Sequence, residues 1–212
     1  PWCGNYDQIE LKRKLQDKSK TLNFAAQYNL GPQSFSLIND PEQIEPGYLY
    51  KYPKSLSGMG HYHFQDREKM ENFLRNGEVL TKEKILNRVL DFFTLWEDCE
   101  LKYFYRNIVT DNYQYRGTLI EKNISFLTKE QKEYFESKKH FLNGWIDNMK
   151  GILTIDSFLY EVNGEREIYF LSEVNCRKTM GYTAIHLAKK FFPDASLVKF
   201  IFGNYKLPVK DY

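Results

Sequence analysis

Cysteine is scarce in this chain of 212 residues, which holds only Cys3, Cys99 and Cys176. An odd number of thiols, widely spaced and without metal-type clustering, excludes a disulfide framework or a zinc site and points to a reducing compartment. No apolar run approaches the length that spans a bilayer, and no signal-peptide pattern opens the chain, so no membrane is expected and the expected location is cytoplasmic. Charge of either sign is not in excess: Lys+Arg 30 against Asp+Glu 28 leaves a formal +2. That balance argues against a nucleic-acid or membrane-surface binder and confines any anion site to local features. Repeats, low-complexity segments and a G-x-x-x-x-G-K-[ST] loop are absent too, which excludes a Walker-type phosphate site. The chain opens at Pro1, without Met, directly into Trp2-Cys3, as a segment taken from inside a longer protein would.

Apolar and aromatic side chains are plentiful, at 42% and 17%, enough to bury a core in one domain or two small lobes. The most informative stretch is residues 151–181, GILTIDSFLYEVNGEREIYFLSEVNCRKTMG. Residues 152–162 and 167–176 are rich in β-branched, aromatic and alternating apolar positions, and Asn163-Gly164 between them is a strong hairpin turn signal. On the second strand Glu173, Asn175 and Arg177 alternate, so they share one face. Leu153, Ile155, Leu159, Phe170 and Val174 fall on the other, an apolar layer. A two-residue loop leaves Asp156 diagonal to Glu173, roughly 7–8 Å away, whereas a four-residue loop sets the two opposite. An odd-length loop would turn Asp156 into the apolar layer at high cost, so an even one is expected. Two carboxylates and an amide oxygen suit Mg²⁺, which takes few protein ligands and leaves the rest to water and phosphate oxygens. An ordinary Glu173–Arg177 ion pair on a solvated strand is the competing reading.

Residues 47–65, GYLYKYPKSLSGMGHYHFQ, read as a strand over 48–52, a small-residue loop over 53–60 and a second strand over 61–65. Glycines let a backbone turn its N–H groups toward an anion, and Lys51, Lys54, Ser55 and Ser57 add charge and hydroxyls. A mobile hairpin loop would look the same. His61 and His63 alternate on the outgoing strand; with no third ligand near them, surface or packing roles are expected.

E-V-N-C-R-K-T-M-G, with I-D-S-F upstream, resembles the metal-binding strand of the ATP-grasp superfamily, and K-Y-P-K-S-L-S-G-M-G at residues 51–60 is similar to its K-x-P-x-x-S-x-G-x-G phosphate lid. The resemblance implies Glu173 and Asn175 as magnesium ligands, Asp156 as the upstream acid and Arg177 as the catalytic cation of the E-x-N-x-R branch. It implies Lys51 on the phosphates, catalytic as well as binding, beneath Ser55, Ser57, Gly58 and Gly60. Lys18, in Asp17-Lys18 before Gly31-Pro32, stands where the superfamily has a phosphate-reaching lysine. Glu83 resembles the hinge acid that meets ribose or adenine.

Elsewhere, a strand or turn is expected to lead into a helix over 20–29, with further helices over 66–76, 128–150 and 182–191. Strands are expected over 100–109, 114–122 and 197–202. Residues 82–93 carry a helical period, although superfamily order asks for the interlobe crossing strand there. Arg106 and Arg116 read as partners of anions or of acids across the sheet. The expected fold is α+β, two lobes with mostly antiparallel sheets clasping a nucleotide. Residues 1–21 would be a remnant of or linker from a preceding domain, 22–90 a small lid lobe, and 91–212 a large catalytic lobe. The resemblance implies an ATP- and Mg²⁺-dependent carboxylate ligase module. It would form an acyl phosphate for an amine or similar nucleophile, partnered by a small carboxylate or peptide substrate and by a preceding N-terminal domain. A non-catalytic ATP-binding or scaffold module is the alternative.

Overall fold

The computed structural model describes residues 8–31, 35–54, 60–110 and 114–203. Two helices come first, α1 (Ile9–Gln16) and α2 (Lys18–Gln27). The polar run Asp17-Lys18-Ser19-Lys20 is a helix start: the Asp17 carboxylate accepts from the backbone N–H of Ser19 and Lys20, capping α2. The helix expected over 20–29 therefore begins earlier, and what precedes it is another helix.

A four-stranded antiparallel sheet follows, from β1 (Phe35–Ile38), β2 (Tyr48–Lys51), β3 (His61–Tyr62) and β4 (Leu80–Lys84), in the order β1-β4-β2-β3. Period-two alternation divides its faces. Ile38, Tyr50 and Leu80 pack with Met70 and Leu74 of α3 (Arg67–Arg75). Lys51, directly paired with both His61 and Thr81, falls on the other side. The strand expected over 61–65 is shorter, because Phe64–Asp66 turn into a 3₁₀ helix that feeds α3. Gly77, at φ 78°, stops α3 as expected.

The second sheet is six-stranded and antiparallel, ordered β10-β7-β6-β5-β8-β9. Its strands are β5 (Asn87–Glu97), β6 (Glu100–Val109), β7 (Tyr115–Glu121), β8 (Ile152–Val162), β9 (Glu165–Asn175) and β10 (Leu197–Ile201). The helical period over 82–93 gives way to β4, a two-residue crossing and β5. Residues Phe92 to Trp96 are buried on both faces of the sheet, so their apolar run lacks alternation and imitates a buried helix.

One face of this sheet is closed by α4 (Lys129–Trp145), with Phe135, Leu142 and Ile146 packed on Leu153, Ile155, Phe170 and Val174. Phe135 stacks on Phe170 at 4.0 Å between ring centroids. Burial of each such side chain contributes roughly 1.5–3 kcal/mol. Thr128 caps α4 in a reciprocal box with Gln131, and the helix ends at Trp145 rather than running to residue 150. On the opposite face α5 (Met180–Phe191) seats Ile185 against Phe93, Leu95 and Tyr105. Helices α1 and α2 pack on the edge strand β9, so α2, expected in the small lobe, lies against the larger sheet. No helix among the described residues is long and apolar enough to cross a membrane.

Candidate functional site

The β8–β9 hairpin turns on two residues, Asn163 and Gly164, both with positive φ. By itself that loop would leave Asp156 diagonal to Glu173. A bulge intervenes: register runs Phe158↔Tyr169 on the turn side and Asp156↔Glu173 beyond it, so three residues of β9 oppose Ser157 alone. The bulge is held from both sides. Ser157 Oγ donates to the Phe170 carbonyl at 2.7 Å, and the Phe170 and Leu171 N–H groups both donate to the Leu30 carbonyl just after α2, at 2.8 and 2.9 Å. The tight turn and the opposed carboxylates, alternatives in the sequence, thus coexist.

Asp156, Glu173 and Asn175 converge as expected. Asn175 Nδ2 donates to Asp156 Oδ2 at 3.0 Å, and Lys18 Nζ, itself buried, lies 3.4 Å from Glu173 Oε1. Lys18 arrives because Asp17 caps α2 and the Lys18 N–H donates to the carbonyl of Pro53, just past β2. Burial and then the neighbouring Glu173 charge push the Asp156 carboxyl up to about 7, against the pull of Arg177, Lys18 and Arg88. Two acids facing each other with an amide beside them form a hard-oxygen set that a divalent cation would stabilise, and that donor chemistry fits Mg²⁺. Among the described residues no group of three His, Cys, Asp or Glu could hold a metal ion, so this paired-acid set with its amide is the candidate.

Lys51 does not stand open. Its Nζ is 2.8 Å from Glu83 Oε1, with both side chains 5% exposed. Glu83, read from sequence as a hinge acid, sits inside β4, and its Oε2 accepts from Tyr169 Oη of β9 at 2.7 Å. Tyr169–Glu83–Lys51 therefore links the two sheets. Behind it the Phe158 ring packs tilted against Tyr169 at 4.4 Å between centroids, and the Arg88 guanidinium lies 4.0 Å from the Phe158 ring centroid. Lys54 is exposed and Gly60 buried; Ser55, Ser57 and Gly58 lie outside the described residues.

A cavity of about 680 Å³ opens on Asp156, Glu173, Asn175 and Arg177. Its wall continues along β5 and β6, where Asp91 pairs directly with Asn107 and carries an ion pair to Arg88. Asp91 also faces Phe158 across β8, which makes it a diagonal neighbour of Asp156, roughly 7–8 Å off between backbones. Asn107 Oδ1 is buried without a hydrogen-bond partner among the described residues. Sequence reasoning missed Arg88, Asp91 and Asn107. Reading 82–93 as strand would have exposed Asp91, since alternation then places it on the face of Asp156. His61, expected at the surface or in packing, lines the same cavity. Arg106, by contrast, faces Glu121 at 3.7 Å, an acid across the sheet as expected.

No family model and no curated protein sequence matches the chain. Solved structures do. One is an N5-carboxyaminoimidazole synthetase from Staphylococcus aureus complexed with ADP, at TM-score 0.61 and 14% identity, over 82% of this chain and 48% of that one. Another is D-alanyl-alanine synthetase A from Vibrio cholerae, at 0.58 and 17%, over 83% and 58%. A third is the biotin carboxylase domain of the Hydrogenobacter thermophilus 2-oxoglutarate carboxylase with MgADP and bicarbonate, at 0.61 and 15%, over 86% and 44%. The chain spans about half the length of these proteins.

Proposed function

Because the chain has the ATP-grasp fold, we propose that it binds Mg-ATP between its two sheets and uses it to activate a carboxylate as an acyl phosphate for an amine or similar nucleophile. The observation that carries this reading is the convergence of Lys18, Asp156, Glu173 and Asn175, from three separate elements, at one end of an open cavity. Nothing in packing alone requires two opposed carboxylates there.

Asp156, Glu173 and Asn175 would hold Mg²⁺, which when bound supplies charge neutralisation and orientation at the phosphates. Lys18 and Lys51 then leave their carboxylate partners and neutralise the nucleotide's phosphate oxygens. Arg177, on the cavity wall, stabilises charge developing on the transferred phosphoryl group. The carboxylate oxygen attacks the γ-phosphorus and ADP departs; the amine then attacks the acyl carbon and phosphate leaves. Asp91, one diagonal step from Asp156, and Asn107, its partner on the next strand, offer oxygens to the N–H groups of that amine and hold it for attack.

The internal ion pairs favour a second reading, a nucleotide-binding or scaffold module without turnover, since Glu83 and Glu173 already satisfy both lysines. Calorimetry with Mg-ATP, followed by an ADP-release screen over amino acids and short peptides, separates the two. Binding with substrate-dependent ADP release supports the ligase; binding with no release across the screen favours the module.

A further inference from the structure

His61 projects from β3 directly across from Lys51, on the face of the small sheet that carries the phosphate lysine. His61 lines the cavity shared with Asp156, Glu173 and Asn175. Both ring nitrogens are shielded from solvent, and among the described residues neither has a hydrogen-bond partner. Among the described residues no group offsets the desolvation penalty of these two polar atoms, and a ligand that reaches the ring removes it.

The ring's surroundings select the ligand. Lys51 on β2, Lys18 at the start of α2 and Arg88 on β5 are the charged groups that face it, with His63 two residues along. Burial first, and then these cations, push its pKa well below the ordinary histidine value, so the ring is neutral at pH 7. A neutral imidazole offers one N–H donor. In a cation-rich setting the group that accepts from it is an anionic oxygen.

We propose that His61 is the small sheet's second phosphoryl contact, donating a ring N–H to a phosphate oxygen of the nucleotide beside Lys51. The inference rests on the Mg-ATP reading and adds a residue to that site. Phosphate charge offsets Lys51, Lys18 and Arg88, so binding draws the ring toward imidazolium.

The protein has four histidines, and imidazole ¹⁵N resonances can be assigned to His61 by its loss in His61→Asn. In the free protein the His61 signal should show a neutral ring at pH 7. Saturating Mg-ATP should shift one ring nitrogen and raise the titration midpoint by about one unit or more, while adenosine leaves it unmoved. His61→Asn, with an unchanged melting temperature, should weaken Mg-ATP about tenfold and adenosine not at all. A His61 signal that does not move in protein shown by calorimetry to be saturated overturns this inference and leaves the nucleotide reading standing. Absence of Mg-ATP binding overturns both.

Discussion

Lys51 and Glu83 form an ion pair shut away from water, and its energetics differ from those of a surface pair. Removing one partner leaves the other buried and uncompensated, which costs about 3–5 kcal/mol. Lys51→Met is therefore expected to destabilise the fold by that amount, and adding Glu83→Gln to recover most of it, since Tyr169 can donate to an amide oxygen as it does to the carboxylate. Urea unfolding of the two variants measures this; equal stability of single and double variants contradicts it. Lys51→Ala should also weaken ATP more than adenosine, because a point charge discriminates by ligand charge, and comparable losses for both ligands would reassign the residue. Lys18 faces Glu173 across the site, so α2 contributes a buried cation to it.

Among the elements, the bulged hairpin decides whether a site exists. The E-x-N spacing, the Asn163-Gly164 turn and the two-faced pattern were legible in the sequence because each is set by period-two alternation or by local turn chemistry. The bulge was not, because its cause lies far along the chain in the Leu30 carbonyl that holds Phe170 and Leu171. β5 was ambiguous for a different reason: burial of Phe92 to Trp96 on both faces erases alternation there, and Asp91 just before them was lost with it. Helix α5 shows how close packing fixes a residue that sequence alone left as a mere boundary. A Cβ on Gly181 would stand 2.2 Å from the Phe93 ring, and Phe93 pairs directly with Asp156. Gly181→Ala should cost about 1–3 kcal/mol by overpacking and weaken Mg-ATP binding through the displaced ring. Phe93→Leu in the same chain should restore stability by opening space. Thermal melting of the single and double variants checks this, and an unperturbed Gly181→Ala melt would mean that α5 can shift without cost.

For the whole molecule, the two sheets are tied together by Tyr169–Glu83–Lys51, with the lysines turned onto the protein's own acids. A nucleotide entering between the sheets must break these contacts, so its apparent affinity is reduced by the stability of the closed arrangement. Tyr169→Phe is expected to lower the unfolding free energy by about 1.5–3 kcal/mol, the value of a hydrogen bond to a charged group, yet to tighten Mg-ATP severalfold. Weaker binding by that variant in calorimetry would mean that Tyr169 serves the bound state instead. The α+β class, the antiparallel sheets and the β8–β9 hairpin could be read from local pattern, whereas these ties between sheets could not, since they join residues 86 positions apart. Calorimetric titration of Mg-ATP into the 212-residue chain, beside Glu173→Gln at matched melting temperature, bears on the proposal with the fewest intermediate steps. One nucleotide per chain, bound only with Mg²⁺ and at least about tenfold more weakly by the variant, is the predicted result; no binding by the folded protein, or equal affinity in the variant, would contradict it.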